Sequence, residues 1–350
     1  MPDHGGHAHR QQMLVRHFGQ REQTGAGAPG QNDTLHIHTS TSEQAPSLMS
    51  VAFSHSSGTS VKSSHAVVLV HYGDPAATKR CLRSLALHEP SPHMAIVVDH
   101  GPGPDLALAL ALEGVHPALR ILSAHENPGF GAGCNLGAEE AFRQGAECVW
   151  FLNNDAVIET PMLEELAALA RSHPEVAFWG HTQRERGRSI GPDRHPAWYA
   201  LPQPVFPLPP PGCRYLTARE SLSGASLFVS RAQWERIGPW PSDYFLYYED
   251  AAYCHRAHCL GLPMALLDRT ISHERGTTTG RRSPLTVFYG VRNRLFLHRE
   301  IQPQKGLARL LMGVDLLQKR FFQGRWRLLK PTFDGLLAAA RNRRGRDPRY

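Results

Sequence analysis

Short apolar runs alternate with helical patterns along the middle of the chain, and this alternation restricts the possible folds more than any other feature. Four buried strands are predicted, at residues 66–71, 95–99, 120–123 and 148–152. Helical periodicity is found at residues 77–87, 106–112, 134–144 and 161–172. Strands that alternate with helices are joined by right-handed crossovers. The sequence therefore predicts an α/β fold with a Rossmann-like, mainly parallel sheet flanked by helices.

Composition divides the chain into three parts. Residues 1–64 are rich in His, Ser, Gly and Gln and lack sustained apolar periodicity, so we expect a disordered tail. Residues 65–283 carry the α/β pattern, interrupted by a proline-rich loop at 182–219. Residues 284–350 are predicted to form a helical, basic C-terminal region.

The cysteine pattern and the charge indicate the cellular compartment of the protein. The six cysteines of this 350-residue chain are scattered without a CxxC pair, which favours reduced thiols in the cytoplasm. No apolar run approaches the length of a membrane span, and the N-terminus has no signal-like apolar core. The formal net charge is +7, and residues 301–350 alone contain twelve Lys or Arg and three Asp. This basic region could contact nucleic acid or an anionic membrane surface, or be a solvated helical face.

The stretch from Asn127 to Asp155 has the order of a ligand site. A glycine-rich turn (NPGFGAG) leads into a helix and a buried strand, which ends on the polar cluster Asn153-Asn154-Asp155. Open α/β sheets bind ligands at the carboxyl ends of their strands. A carboxylate there, close to a glycine-rich backbone turn, suits a metal-bridged diphosphate. The alternative is an Asp that only forms a turn after the strand.

A resemblance to a known family appears when the segments are taken in order. They are VVLVHYGD, CLRSL, AIVVDHG, NPGFGAGCNLG, VWFLNNDAVI, SGASLFVSRAQWERIG, FLYYEDAAYCHRA, ISHERG and FYGVRNRL. This succession, from residue 66 to 298, resembles the family-2 glycosyltransferases of the GT-A fold, and within them the rhamnosyltransferase-like branch. No motif is specific alone, but their order is. The resemblance makes residues 65–283 a GT-A glycosyltransferase domain, whose family members transfer a sugar from a nucleoside diphosphate sugar.

The resemblance also assigns a donor site. Asp99 matches the family's contact to the nucleotide base, and a carboxylate is a suitable acceptor for a pyrimidine imide N–H. A turn at Asp99-His100-Gly101 is the competing interpretation. The other positions match the backbone beside the base, the loop beside the sugar and diphosphate, or the metal motif. They are His71, Tyr72, Asn127, Gly129, Gly131, Asn135, Asn154 and Asp155.

A divalent cation is implied at the same place. Asp155 matches the last acid of the family's DXD-type motif, which here reads Asn-Asn-Asp, so one carboxylate is replaced by an amide. Mg²⁺ or Mn²⁺ often takes only one or two carboxylates plus phosphate oxygens, so the replacement is tolerable. His273 follows the last predicted strand, where the family often supplies a further metal or diphosphate contact. A purely structural histidine is the alternative.

The catalytic base is implied by the Glu249-Asp250 doublet. In the family the Asp of this doublet deprotonates the acceptor hydroxyl, which assigns that role to Asp250. The alternative is a carboxylate that only complements the N-terminal charge of a helix. Many relatives have a second acid where this chain has Ala252, which affects acceptor contacts more than the base.

Arg292 and Arg294 could pair with a phosphate or an anionic acceptor, or be solvated helix residues.

Together these features predict a metal-dependent, inverting glycosyltransferase. The resemblance implies a donor such as dTDP-L-rhamnose or a UDP-sugar, and a glycan or lipid-linked saccharide as acceptor. A lipid-linked acceptor would place the protein at the inner membrane face, with residues 301–350 as a peripheral contact. A catalytically silent nucleotide-sugar-binding protein is the main alternative. A nucleic-acid-binding protein is a weaker one, since no recognised nucleic-acid module is present and no specific nucleic acid is expected.

Overall fold

Eleven strands of the described residues form one mixed sheet, with helices on both faces. The computed structural model describes residues 49–52, 64–90, 93–101, 108, 111–124, 126–185, 187–194, 212–273 and 283–350. These residues lie within one compact unit, Pro46–Tyr350. Most of the predicted tail 1–64, most of the predicted helix 106–112 and much of the proline-rich loop lie outside the described residues.

The elements are numbered in chain order. The strands are β1 (Met49–Ala52), β2 (His65–His71), β3 (Met94–Asp99), β4 (Leu119–Ser123), β5 (Cys148–Leu152), β6 (Ala156–Val157), β7 (Phe178–Glu185), β8 (Arg188–Ile190), β9 (Asp193–Arg194), β10 (Cys213–Tyr215), β11 (Glu220–Ser221), β12 (Ser226–Ser230) and β13 (Met264–His273). The helices are α1 (Pro75–His88), α2 (Phe130–Arg143), α3 (Leu163–Ser172), α4 (Arg231–Ile237), α5 (Glu249–Cys259), α6 (Pro284–Ile301), α7 (Gly306–Phe322) and α8 (Leu329–Ala340). Two 3₁₀ turns occur at Ser242–Tyr244 and Trp326–Leu328.

The sheet has the order β1-β4-β3-β2-β5-β12-β7-β13-β10, with β6 beside β13 and β8 beside β7. Strands β4, β3, β2 and β5 run parallel, as do β7 and β13. Strand β12 is antiparallel to both of its neighbours, β5 and β7. The predicted α/β fold with a mainly parallel, helix-flanked sheet is therefore confirmed in its central strands.

The core has two layers because successive side chains of a strand point to opposite faces. In β2, Val67 and Leu69 pack into the layer that contains α1 and α3. Ala66 and Val68 pack into the other layer, with α2 and the aromatic residues of α4 and α5. A strand buried on both faces reads as a continuous apolar run, which explains the sequence AVVLV.

Helix α2 begins at Phe130, four residues before the predicted start at residue 134. Glycine is a poor helix former, so the GFGAG sequence favoured a turn there. Packing reverses this preference. A Cβ on Gly133 would lie 2.9 Å from Val70 Cγ2, and one on Gly137 would lie 3.1 Å from Val68 Cγ2. The glycines therefore allow the helix to lie close against β2.

The predicted helical C-terminal region is also confirmed. Helices α6, α7 and α8 pack together, and Gly335 in α8 allows close contact with α6, since a Cβ there would lie 2.8 Å from Phe288 O. The last residues return to this bundle, where the ring of Tyr350 stacks on Phe288 at 4.3 Å. Within the parts of the chain that the structure describes, none of the helices combines the length and hydrophobicity needed to cross a bilayer.

Candidate active site

The carboxyl ends of β2 and β3 place two predicted base-binding residues side by side. His71 and Asp99 are register partners at the last position of each strand. The His71 imidazole Nδ1 lies 2.7 Å from Thr78 Oγ1, and Asn154 donates its amide N–H to the same hydroxyl at 2.9 Å. Burial lowers the pKa of His71, although the nearby charge of Asp99 acts against this. A neutral His71 is therefore held in place by the first turn of α1.

Asp99 does form the turn with Gly101 that was the competing interpretation. The turn uses only one of the two carboxylate oxygens. Gly101 donates its backbone N–H to Asp99 Oδ1 at 2.7 Å. Asp99 is buried at the sheet edge, and Tyr72, the residue after its register partner His71, is 45% exposed. One carboxylate oxygen fixes the turn, while a carboxylate has further acceptor sites on both oxygens. The base-binding roles of Asp99 and Tyr72 remain predictions.

The glycine-rich turn contacts the segment that precedes Asp250. Asn127 Oδ1 accepts the Gly129 N–H at 2.9 Å, and Gly129 has a φ of +98°. Phe130 donates its N–H to Phe245 O at 2.9 Å. A Cβ on Gly129 would lie 2.7 Å from Phe245 Cα, so a side chain cannot be accommodated there without a shift. Only glycine combines this φ with so close a backbone approach.

Two further residues of the predicted donor loop contact the same segment. Asn135 accepts the Trp240 N–H at 2.7 Å and donates to Trp240 O at 3.0 Å. A Cβ on Gly131 would lie 3.0 Å from Pro241 O. These contacts are with protein backbone and position the two segments against each other. The assigned contacts of these residues to sugar and diphosphate stay predictions.

The predicted metal ligands Asp155 and His273 meet, although 117 residues lie between them. His273 Nε2 is 3.1 Å from Asp155 Oδ1, with both side chains at most 10% exposed. The amide nitrogen of Asn153 lies 3.0 Å from the same Nε2, and Gln183 Oε1 lies 3.2 Å from His273 Nδ1. Since an amide oxygen can only accept, Nδ1 carries the proton, and in a neutral imidazole the single lone pair of Nε2 accepts the N–H of Asn153. A cation beside Asp155 would take the place of that amide donor.

Two acceptor atoms that face each other at this distance suit a shared cation or proton. No group of three His, Cys, Asp or Glu with metal-binding geometry occurs among the described residues. Mg²⁺ and Mn²⁺ take a carboxylate and complete their shell with water and phosphate oxygens, and of the two, Mn²⁺ takes an imidazole more readily. The pair Asp155–His273 therefore fits a cation that a diphosphate completes, with Gln183 orienting the imidazole. Gln183 was not anticipated from the sequence, since nothing marks one polar residue in β7.

Asp250 lies in the first turn of α5, fixed by two backbone donors. Gly224 donates to Asp250 Oδ2 at 3.0 Å, and Ala251 donates to Oδ1 at 2.8 Å. Tyr248, which precedes the helix, has a φ of +70°. The neighbouring Glu249 is buried, and burial together with the charge of Asp250 raises its pKa well above the usual value. Burial thus favours the uncharged acid form of Glu249.

One three-residue turn, 223–225, connects the Asn153-Asn154-Asp155 cluster to the predicted base. Asn153 donates its backbone N–H to Ala225 O at 3.0 Å, and Gly224 donates to Asp250 at the other side of the turn. A Cβ on Gly224 would lie 3.4 Å from Asp250 Cβ and 3.2 Å from the ring of Phe130. The polar cluster after β5 and the start of α5 are therefore placed on either side of the same backbone. The role of this turn was missed from the sequence.

Arg292 does not have the predicted contacts. It is 1% exposed and donates to Tyr244 O at 2.8 Å and to Gly345 O at 2.6 Å. Its neighbour Asn293 donates to the carbonyl oxygens of Tyr244, Leu246 and Tyr247 at 2.8–2.9 Å. Both interpretations of Arg292, phosphate ligand or solvated residue, are therefore wrong. Instead, α6 fixes the aromatic loop that leads into Asp250.

Arg294, in contrast, lines a cavity beside this loop. The cavity has a volume of about 200 Å³ and is lined by Tyr248, Gly290, Arg294 and Leu316, among others. Tyr248 lies two residues before Asp250, so the cavity adjoins the start of α5. It combines a phenol, a guanidinium and apolar side chains, which suits a partly polar, partly apolar ligand.

Comparison with known proteins gives the following likenesses. S. aureus TarS has 15% identity and a TM-score of 0.46, with 68% of this chain and 38% of that chain covered. TarS 1–349 in complex with UDP-GlcNAc has 15% identity and a TM-score of 0.46, with coverage of 67% and 66%. Mannosyltransferase PcManGT from Pyrobaculum calidifontis, in complex with GDP-Man and Mn²⁺, has 14% identity and a TM-score of 0.47, with coverage of 79% and 86%.

The chain thus spans about 38% of the length of the first of these structures. No curated protein matches the sequence. The family model described as glycosyl transferase family 2 matches residues 66–212, which contain β2 to β5, the glycine-rich turn and the Asp155 cluster. This match supports a family-2 glycosyltransferase domain in the chain.

Proposed function

We propose that this protein is a metal-dependent, inverting glycosyltransferase. It moves a sugar, in our proposal rhamnose, from a nucleoside diphosphate to a hydroxyl of a glycan or lipid-linked acceptor. The observation that supports this most is the 223–225 turn, which links Asn153 to Asp250 through hydrogen bonds of 3.0 Å each. It gives one site the two parts that glycosyl transfer needs, a diphosphate-binding cluster and a base.

The donor half consists of residues at the carboxyl edge of the sheet. Asp99 accepts the imide N–H of a pyrimidine base, and the exposed Tyr72 flanks that base. The backbone of His71, fixed through Thr78, lines the same place. The diphosphate lies next to Asp155 and Asn154. This placement favours dTDP- or UDP-sugars as donors.

Asp155 and His273 would hold Mg²⁺ or Mn²⁺ together with the diphosphate. A divalent cation there neutralises the charge that develops on the leaving nucleoside diphosphate. The chain's own contribution is orientation, because Gln183 and Asn153 restrict the His273 ring from two sides.

Asp250 acts on the acceptor. Its two backbone hydrogen bonds orient the carboxylate, which retains lone pairs for the proton of the acceptor hydroxyl. The hydroxyl oxygen then attacks the anomeric carbon as the bond to the diphosphate breaks, and one such displacement inverts the configuration. The cavity of Tyr248 and Arg294 adjoins Asp250 and is our candidate for the acceptor site.

A thermal-shift panel tests the proposal. The melting temperature of the full chain is measured with dTDP-, UDP- and GDP-sugars, each with and without Mn²⁺ or Mg²⁺. Selective ligands stabilise by mass action, by about 2.7 kcal/mol at a hundredfold excess over Kd. We expect a pyrimidine nucleotide sugar plus the cation to raise the melting temperature. Adenosine diphosphate with the same cation is the control. Equal shifts for all nucleotides, or none, would count against a donor site.

A further inference from the structure

Helix α7 has an apolar face that the rest of the protein leaves uncovered. Seven large apolar side chains between α7 and the following 3₁₀ turn are at least 43% exposed. They are Leu307, Leu310, Leu311, Val314, Phe321, Phe322 and Trp326. Only four other large apolar residues of the described chain are comparably exposed. Scattered exposed apolar residues are ordinary in soluble proteins, but a contiguous set indicates an interaction surface.

The helical period separates this surface from the packed side of the same helix. At 100° per residue, the six exposed apolar residues of α7 fall within about 120° of arc. The opposite side packs on the bundle, where Gly313 lies against Leu336 and Leu316 joins Val287 and Val291. The uncovered face is therefore not the side that holds α7 in the fold. We call it the outer face of α7.

The end of the outer face is aromatic. The ring of Phe321 lies 4.5 Å from that of Trp326 and 5.5 Å from that of Phe322, both edge to face. Trp326 is 56% exposed and Phe322 is 80% exposed. Of these three residues, Trp326 has a polar N–H, and tryptophan is enriched at the boundary between lipid headgroups and acyl chains.

The C-terminal region that contains this surface is basic. Residues 301–350 contain twelve Lys or Arg and three Asp. Lys319 pairs with Asp315 and Lys330 with Asp334, each at 2.7 Å. Lys305, Arg325 and Arg327 form no ion pair with another described residue. These three residues lie just before and just after α7, and basic residues next to an apolar face complement anionic headgroups over acyl chains. A second copy of the chain would bring the same positive charge against itself.

We propose that the outer face of α7 docks on an anionic lipid bilayer, with Leu and Phe side chains at the acyl boundary and the basic residues at the headgroups. The inner side of α7 provides Leu316 to the cavity that contains Tyr248 and Arg294. The cavity adjoins Asp250, so docking brings both of them close to the lipid surface. The docking itself rests on α7 alone and stands apart from the donor chemistry proposed above.

Vesicle flotation of the full chain tests this. We compare vesicles of phosphatidylcholine with vesicles of phosphatidylcholine and phosphatidylglycerol, at low and high salt. The double variant Leu311→Ser/Phe322→Ser removes two exposed side chains, and Leu87→Ser, at a residue 77% exposed on α1, is the matched control. We expect the wild type and the control to float with anionic vesicles, less at high salt. The double variant should partition at least about tenfold more weakly with unchanged thermal melting.

Three results would overturn the proposal. The first is no flotation of the wild type with anionic vesicles. The second is equal flotation of the wild type and the double variant. The third is a dimer, detected by light scattering, that the double variant converts to a monomer while vesicle binding stays unchanged. Nucleotide binding is measured on the same samples, so that a failure of docking and a failure of the donor site are distinguished.

Discussion

Replacing Asp250 with Asn is expected to lower the turnover number by about 10²–10⁴-fold while leaving donor affinity nearly unchanged. The amide cannot take the proton of the acceptor hydroxyl. It can keep the hydrogen bond from Gly224 through its oxygen, so the 223–225 turn should keep its place. Single-turnover kinetics with a fixed donor concentration separate the chemical step from binding.

Glu249→Gln is the matched control for this prediction. Glu249 adjoins Asp250 and is buried, and burial raises its pKa, which favours the uncharged acid. Gln has the same size as the protonated acid and the same zero charge, so turnover should stay close to that of the wild type. A large loss in Glu249→Gln together with an active Asp250→Asn would transfer the role of base to Glu249. Equal losses in both would indicate a structural role for the doublet.

The largest expected effect on stability is that of Gly129→Ala. With a φ of +98° and a ψ of 166°, Gly129 lies in a region essentially restricted to glycine, and an L-residue there costs about 1–3 kcal/mol. The added Cβ would also lie 2.7 Å from Phe245 Cα, which forces the aromatic loop to move. The backbone cost and the overpacking cost together should lower the free energy of unfolding by about 2–4 kcal/mol. Urea denaturation measures this loss. Turnover should fall as well, because this loop leads into Asp250.

Gly145→Ala separates the two causes. Gly145 has a φ of +94°, but a Cβ there would have no atom within 4 Å outside its local chain. Its replacement should therefore cost only the conformational part, about 1–2 kcal/mol, with turnover unaffected. If the two variants lost the same stability, the close approach of Gly129 to Phe245 would contribute nothing.

Much of the sheet could be predicted because its buried strands are continuous apolar runs in the sequence. AVVLV, AIVV and CVWFL are apolar on both faces, and they form β2, β3 and β5 within two residues of the predicted bounds. The start of α2 could not be predicted, since it depends on contacts that glycine permits with β2 and with Trp240. The antiparallel insertion of β12 between β5 and β7 also depends on pairing that local pattern does not encode.

The candidate site could be predicted at residues whose side chains have a recognisable chemical role. The family resemblance implied Asp155 and His273 as metal contacts, and the structure brings them to 3.1 Å. Residues that act on backbone were missed, because an amide or guanidinium that bonds to carbonyl oxygens has no sequence signature. Asn293 and Arg292 are the clearest cases, since together they bind Tyr244 O and neighbouring carbonyls of the aromatic loop.

Calorimetric titration of the nucleoside diphosphate selected by the panel tests the central claim most directly. It is performed with and without Mn²⁺, on the wild type and on Asp155→Asn, which keeps the side-chain size and removes the charge. We predict that Mn²⁺ tightens binding to the wild type by at least about tenfold and that this gain is lost in the variant. Equal affinity with and without Mn²⁺ in both proteins would contradict a metal-bridged donor site at Asp155 and His273.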